Sequence, residues 1–239
     1  MFAVDVRTAT DVGQVRENNE DALWVAASSL VVCDGMGGHV AGEVASSLAA
    51  KAIEDFPFSG IDPENEVRAA IQKAQEAILH EAEIHAEYRG MGSTITLALV
   101  SEPDSEGRVR LTLGHVGDSR CYIFSHGVLQ QLTSDHSVVG ELLRQGTITA
   151  SEARTHPKKH VLTQVLGSPD VEIEIIETEL EPGTLILLCT DGLTDLVDDQ
   201  QIAKTLQGDF YASNLARDLV DLANELGGVD NITVIVAKV

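Results

Sequence analysis

The chain has 239 residues, 44% of them hydrophobic, and a formal net charge of −22 at pH 7. That length suits one large domain or two small ones, enough to bury a sizeable core. The strong acidity leaves no basic footprint for nucleic acid, and no apolar run nears the ~18 residues of a membrane helix.

In chain order, segments 3–8, 22–26 and 30–33 read as strands. Asp5, Arg7 and Asp11 stand where a signal peptide needs its apolar core, so a cytoplasmic protein is expected. Val44, Leu48 and Ala52 repeat at four-residue spacing and predict a helix over 42–56. Asp62-Pro63 reads as an N-cap with proline at the first helical position. The long helix it opens runs to about residue 88 and carries Val67, Ile71, Ala74 and Ile78 on one face. Strands follow at 93–100, 108–116, 121–125 and 128–132, with a tight hairpin at His126-Gly127. Strands in direct succession predict antiparallel pairing, because parallel neighbours need long crossovers. Residues 135–160 change character. Val138, Val139, Leu142 and Leu143 predict a short helix, and Thr149 with Glu152 fits a capping box. Strands resume at 171–180 and 185–189, helices are expected near 199–206 and 215–226, and ITVIVAKV closes the chain as a strand. With no repeat, linker or low-complexity block, residues 1–239 read as a single domain. The element order favours α+β over α/β. The three cysteines, Cys33, Cys121 and Cys189, sit in or beside apolar runs, and an odd count without a secretory signal argues against disulfides.

Acids punctuate the strand ends: Glu20 and Asp21, Asp34, Asp118, Asp191 and Asp230. Asp before Gly is common in turns. Yet VVCD and LLCTD each deliver an acid from an apolar strand, and an acid there is costly unless paired or metal-bound. Oxygen ligands without paired His or Cys select hard ions such as Mg²⁺ or Mn²⁺. Rival motifs fail. No lysine follows the glycines of DGMGGH as a P-loop requires. A dinucleotide fingerprint would need glycine where Val40 stands. An EF-hand would need acids two and four residues after Asp34. A cysteine-nucleophile phosphatase would need arginine where His39 and Asp195 stand. No Gly-x-Ser-x-Gly elbow occurs.

Seven stretches in order, GQVRENNED, VVCDGMGGHVAGEVAS, MGSTITLALV, GHVGDSRCYIF, LTSDHSVVGELLRQG, LLCTDGLTDLV and GGVDNITVIV, span almost the whole chain. Together they resemble the metal-dependent Ser/Thr protein phosphatases of the PP2C (PPM) family, in the compact bacterial form. The resemblance implies a four-layer α-β-β-α sandwich, two antiparallel sheets flanked by helices, with a two-metal cleft between the sheets. It implies Asp34 bridging two Mn²⁺ or Mg²⁺ ions, one also bound by the Gly35 carbonyl and the other by Asp191 and Asp230. Asp21, with Glu20 nearby, would hold metal-bound waters. Asp118 with Asp191 would hold a third, weaker ion. Arg16 matches the phosphate-binding arginine, and His39 would contact substrate or donate a proton. Ser119 and Arg120 would shape the Asp118 loop. Residues 133–165 match the family's flap, whose His136, His156 and His160 have no metal-ligand spacing. Met36 stands where many eukaryotic relatives carry histidine.

The activity so implied is hydrolysis of phosphoserine and phosphothreonine in proteins by a hydroxide bridging two ions, opposing a Ser/Thr kinase. A monomer is expected, with phosphorylated proteins as partners and neither nucleic acid nor membrane. The alternatives are a non-catalytic pseudophosphatase binding module and a phosphatase dedicated to one signalling protein, such as an anti-sigma antagonist.

Overall fold

Strands such as LILLC are apolar on both faces, so each needs cover on both sides. In the computed structural model, which describes residues 4–38 and 40–239, a second sheet covers one side and helices cover the other. One sheet has the order β1 (Asp5–Asp11), β11 (Ile232–Lys238), β10 (Leu185–Cys189), β7 (Arg120–Ser125), β8 (Val128–Gln131). The second has the order β2 (Asp21–Val25), β3 (Ser29–Met36), β5 (Ile95–Val100), β6 (Val109–Val116), β9 (Glu174–Leu180), with β4 (Gly92–Ser93) pairing to β3. Neighbouring strands pair antiparallel throughout, as their direct succession predicts. The result is the expected α+β sandwich.

Side-chain alternation sorts the core into three layers. Leu30 and Val32 of β3, Ile186 and Leu188 of β10 and Ile235 of β11 fill the space between the sheets. Val31 and Cys33 turn the other way, toward α1 (Ala41–Glu54) and α2 (Pro63–Ile84). Leu187, Cys189, Val234 and Val236 pack against α6 (Asp199–Leu206) and α7 (Leu215–Glu225). Each fully buried aliphatic side chain contributes about 1.5–3 kcal/mol before conformational entropy is subtracted. The three cysteines fall one in each layer, buried and unpaired.

Most predicted elements appear within a few residues of their expected limits. Val67, Ile71, Ala74 and Ile78 are fully buried on one face of α2, and Asp62 caps that helix through the Asn65 N–H. The Thr149–Glu152 capping box opens α4 (Ala150–Arg154), and α3 (Val138–Arg144) precedes it. His126 and Gly127 both take positive φ in the β7–β8 hairpin. The departures have local causes. The 93–100 strand is interrupted at Thr94, whose hydroxyl, not its carbonyl, accepts the Asp34 N–H at 2.9 Å. β9 starts at Glu174 because the Glu172 N–H bonds the Gln164 side chain instead of a neighbouring strand. The long helix ends at Ile84, and Ala86–Tyr88 tightens into a 3₁₀ turn. The strand 3–8 begins at Asp5, and its residue 3 lies outside the described residues. No helix among the described residues is long and apolar enough to cross a membrane.

The fold places its acids through one close backbone approach. A short helix, α5 (Asp191–Thr194), starts directly after β10. A Cβ on Gly192 would sit 2.0 Å from the Asn231 carbonyl oxygen, so only glycine lets Asp191 lie beside the Asp230–Asn231 turn. Gly192→Ala should cost about 1–3 kcal/mol through forced backbone separation. Thermal unfolding should show a fall of several degrees, and an unchanged midpoint would contradict this account.

Candidate metal centre

The site begins as a problem of strand register. Asp21 and Asp34 are direct cross-strand partners in the β2–β3 pair. Like charges directly opposite on one face repel, and this pair adjoins a core rather than open water. Glu20, Asp34, Gly35, Asp118, Asp191 and Asp230, together with Arg16, line one cleft of about 540 Å³. Asp21 does not line that cleft and is placed beside it by its pairing with Asp34 and its bond from Thr190. His39 lies outside the described residues.

Asp21 and Asp230 are held by hydrogen bonds from their neighbours. Thr190 donates its hydroxyl to Asp21 Oδ2 at 2.9 Å and accepts the Thr233 N–H at 3.0 Å, tying β10 and β11 to the edge strand of the other sheet. The Asn231 N–H donates to Asp230 Oδ1 at 2.8 Å, and Arg16 Nη2 meets Asp230 Oδ2 at 2.7 Å. Thr94 Oγ1 and Ser119 Oγ lie 2.8 Å apart behind Asp118. Arg120 grips Asp135 through two bonds of 2.8 and 2.6 Å, tying the start of β7 to the 133–165 segment. Glu20 packs on the first turn of α1, where a Cβ on Gly42 would meet its Cδ at 2.8 Å. The positive end of that helix suits a carboxylate. The glycines of DGMGG are unequal. A Cβ on Gly35 would sit 2.0 Å from the Gly42 carbonyl oxygen, whereas Gly38 faces open space.

Two observations fit this donor set to cations. Asp21 Oδ1 and Asp191 Oδ1 are buried with no hydrogen-bond partner. The protons are also held abnormally tightly. Burial first, then Asp191, Asp21, Asp118 and Asp230, push the Asp34 carboxyl well above the usual range. Burial, then Asp191 and Asp135, does the same to Asp118. Asp21 is pushed up to about 7, by burial most and by Asp191 and Asp230 in addition, against the hydroxyls of Thr233 and Thr190. Burial also raises Asp230, with Arg16 opposing. All-oxygen ligands with orphaned lone pairs suit Mg²⁺ or Mn²⁺.

Two contributors escape a reading of the sequence. Asn231 is buried, accepts the Glu20 N–H, and donates to the Val12 and Asn18 carbonyls at 2.9 Å each. It fixes the Arg16 loop to the last strand, and its only sequence signal is polarity just before an apolar strand. His160 reaches Asp191 and Asp195 from the 133–165 segment, at 3.9 and 3.6 Å. That segment is fastened by Lys159 on Asp195 at 2.8 Å and by Arg154 on the Thr194 and Val197 carbonyls.

The sequence matches the family model "Protein phosphatase 2C" over residues 13–226. It is 40% identical over 232 residues to the serine/threonine protein phosphatase PstP of Mycobacterium tuberculosis, covering 96% of this chain and 44% of that protein. The chain thus spans less than half of that relative. It is 35% identical to the serine/threonine phosphatase stp of Listeria monocytogenes, covering 96% of this chain and 93% of that one. The crystal structure of the PstP catalytic domain in complex with two manganese ions superposes with a TM-score of 0.88 at 37% identity, covering 100% of this chain and 99% of that one.

Two outcomes follow from the geometry. Asn231→Ala strands the Glu20 N–H and two carbonyls and should cost about 1–3 kcal/mol, read as a lower urea midpoint at unchanged slope. An unaltered midpoint would remove Asn231 from the account. The second concerns protons. The folded value of about 7 for Asp21 exceeds its ordinary 3.8. Without cations, its contribution to stability is complete below pH ~3.8 and is lost as pH rises through about 7. Cations displace the protons, so Mn²⁺ should raise the melting temperature more at about pH 7.5 than at about pH 5. Equal shifts at both would contradict the assignment.

Proposed function

Because the chain belongs to the protein phosphatase 2C family, we propose that its acidic cleft is the active site of a metal-dependent Ser/Thr protein phosphatase built from Asp21, Asp34, Gly35, Asp118, Asp191 and Asp230, with Arg16 as the phosphate grip. The observation that carries this reading is the cross-strand pair Asp21–Asp34 with Asp191 Oδ1 buried and unpartnered beside it. Asp34, the Gly35 carbonyl, Asp191 and Asp230 would hold two Mn²⁺ or Mg²⁺ ions. Asp21 and Glu20 would hold the ions' waters, and Asp118 would serve a third ion with Asp191. When bound, such ions supply a water acidified toward neutrality and positive charge for the phosphoryl oxygens.

The protein's own part is placement. Asp230 holds Arg16 by one nitrogen at 2.7 Å, which leaves the rest of its planar fork for two phosphate oxygens. Arg16 is half exposed, with 48% of its side chain accessible, so an incoming phosphoprotein can reach it. The Thr190 and Thr94–Ser119 hydroxyls keep Asp21 and the Asp118 loop from turning away. The acids repel a phosphate until cations neutralise them, so the ion-free protein should be inactive.

Phosphorylated proteins are the substrates, and the reaction opposes a Ser/Thr kinase. The cleft is lined by residues of both sheets, which supports residues 1–239 acting as a single domain, and the expected state is a monomer. Three buried, unpaired cysteines support a reducing, cytoplasmic setting. Residues 133–165 act as the flap over the cleft, which Lys159, His160 and Leu162 help to line. His39 follows the glycine loop as a substrate contact or proton donor. The ligand set is complete, so no observation favours the binding-module alternative.

Hydrolysis of p-nitrophenyl phosphate should require Mn²⁺ or Mg²⁺. Asp34→Asn and Asp191→Asn should each lower kcat by about 100-fold or more, and Arg16→Lys should raise KM by about tenfold with a smaller effect on kcat. Wild-type turnover by either Asn variant at saturating Mn²⁺ would sink the proposal.

A further inference from the structure

His136 grips a single residue, Gly117, from two sides. Its backbone N–H donates to the Gly117 carbonyl at 2.7 Å, and its Nδ1 accepts the Gly117 N–H at 3.2 Å. Its own carbonyl accepts the Thr163 N–H at 2.8 Å, so both ends of the 133–165 segment meet at this residue. An Nδ1 that accepts carries no proton, so the proton of the neutral ring sits on Nε2. That nitrogen lies 3.6 Å from Glu174 Oε2. A protonated nitrogen ligates no ion, so the cluster of His115, His136 and Glu174 is a support and not a second metal site. His115 and Glu174 are direct cross-strand partners in the β6–β9 pair. His115 is fully buried, with its Nδ1 2.9 Å from Thr96 Oγ1. Its ring centroid lies 4.7 Å from that of His136. The sheet therefore presents a ring and a carboxylate that together seat the His136 imidazole.

Gly117 needs such a grip. Its φ is +110°, and a Cβ there would sit 2.5 Å from Thr94 Cγ2, so the position requires glycine. A glycine has no side chain to anchor, so its backbone groups must be held, and His136 engages both of them. Asp118 follows directly in the chain and lines the cleft. We propose that His136, oriented by Glu174, is the positioning residue for Asp118, setting its carboxylate in the cleft through the Gly117 backbone. The inference rests on the preceding reading in taking Asp118 as part of the active site. His136 acts only through the loop. Because the 133–165 segment closes on the same residue, seating of that segment and placement of Asp118 are coupled.

Two substitutions of similar size separate the two ring nitrogens. Asn places a carbonyl oxygen where Nδ1 stands and can accept the Gly117 N–H. Gln reaches toward Glu174 and leaves that N–H unpaired. With saturating Mn²⁺, His136→Gln should lower kcat for p-nitrophenyl phosphate about tenfold, with KM within about twofold. His136→Asn should restore kcat to within about threefold of wild type. In an Asp118→Asn background, His136→Gln should cost less than about twofold more, because the group it positions is already gone. Nitrogen-15 spectra of the His136 ring should show Nδ1 unprotonated. Equal losses in the Asn and Gln variants, a full further loss on top of Asp118→Asn, an Asp118→Asn variant as active as wild type, or a neutral ring with its proton on Nδ1 would each overturn the proposal. Mn²⁺-dependent turnover that Asp34→Asn abolishes would leave the phosphatase reading intact in all four cases. A wild type inactive with Mn²⁺ would overturn both.

Discussion

The structure turns on the repulsion between Asp21 and Asp34. They are directly opposed in the β2–β3 pair, on strands whose register is locked by the apolar run Leu30–Val31–Val32–Cys33, fully buried on both faces. Slipping that register by one residue would drive Asp34 into the apolar layer. The carboxylates cannot separate, and burial makes their joint ionisation expensive. What relieves them is a proton or a cation. The same packing that stabilises the sandwich thereby creates its affinity for metal.

The remaining acids arrive by different routes to one place. Asp191 comes from the end of β10, Asp230 from the turn before β11, and Asp118 from the β6–β7 loop. Thr190, bonded both to Asp21 and to β11, joins the two sheets at this edge. Asn231 does the same for the loop carrying Arg16 and Glu20. A network of neutral side chains thus fixes a set of charged ones. Their contribution to the site is positional, because carboxylates left free would rotate away from each other.

Much of this was legible in the sequence where the signal is local. The apolar face of α2 and the Thr149–Glu152 box depend on residues a few positions apart, and both appear as read. The acids were legible because VVCD and LLCTD break an apolar run with a charge. What escaped depends on tertiary approach. No spacing along the chain announces that His160 meets Asp191, since the meeting needs the 133–165 segment to fold back onto α5. Nor does it announce Asn231, whose role is to satisfy backbone groups of a loop more than two hundred residues earlier. Glu20 illustrates an intermediate case. Its nearness to the site was readable, but its seat on the first turn of α1 follows from the absence of a side chain at Gly42.

Cations relieve the Asp21–Asp34 repulsion. Anomalous diffraction at the manganese edge, on crystals soaked with Mn²⁺, tests it most directly. Two strong peaks should lie in contact with Asp34, one of them also in contact with Asp191. Manganese bound elsewhere, with no peak in contact with Asp34, would contradict it.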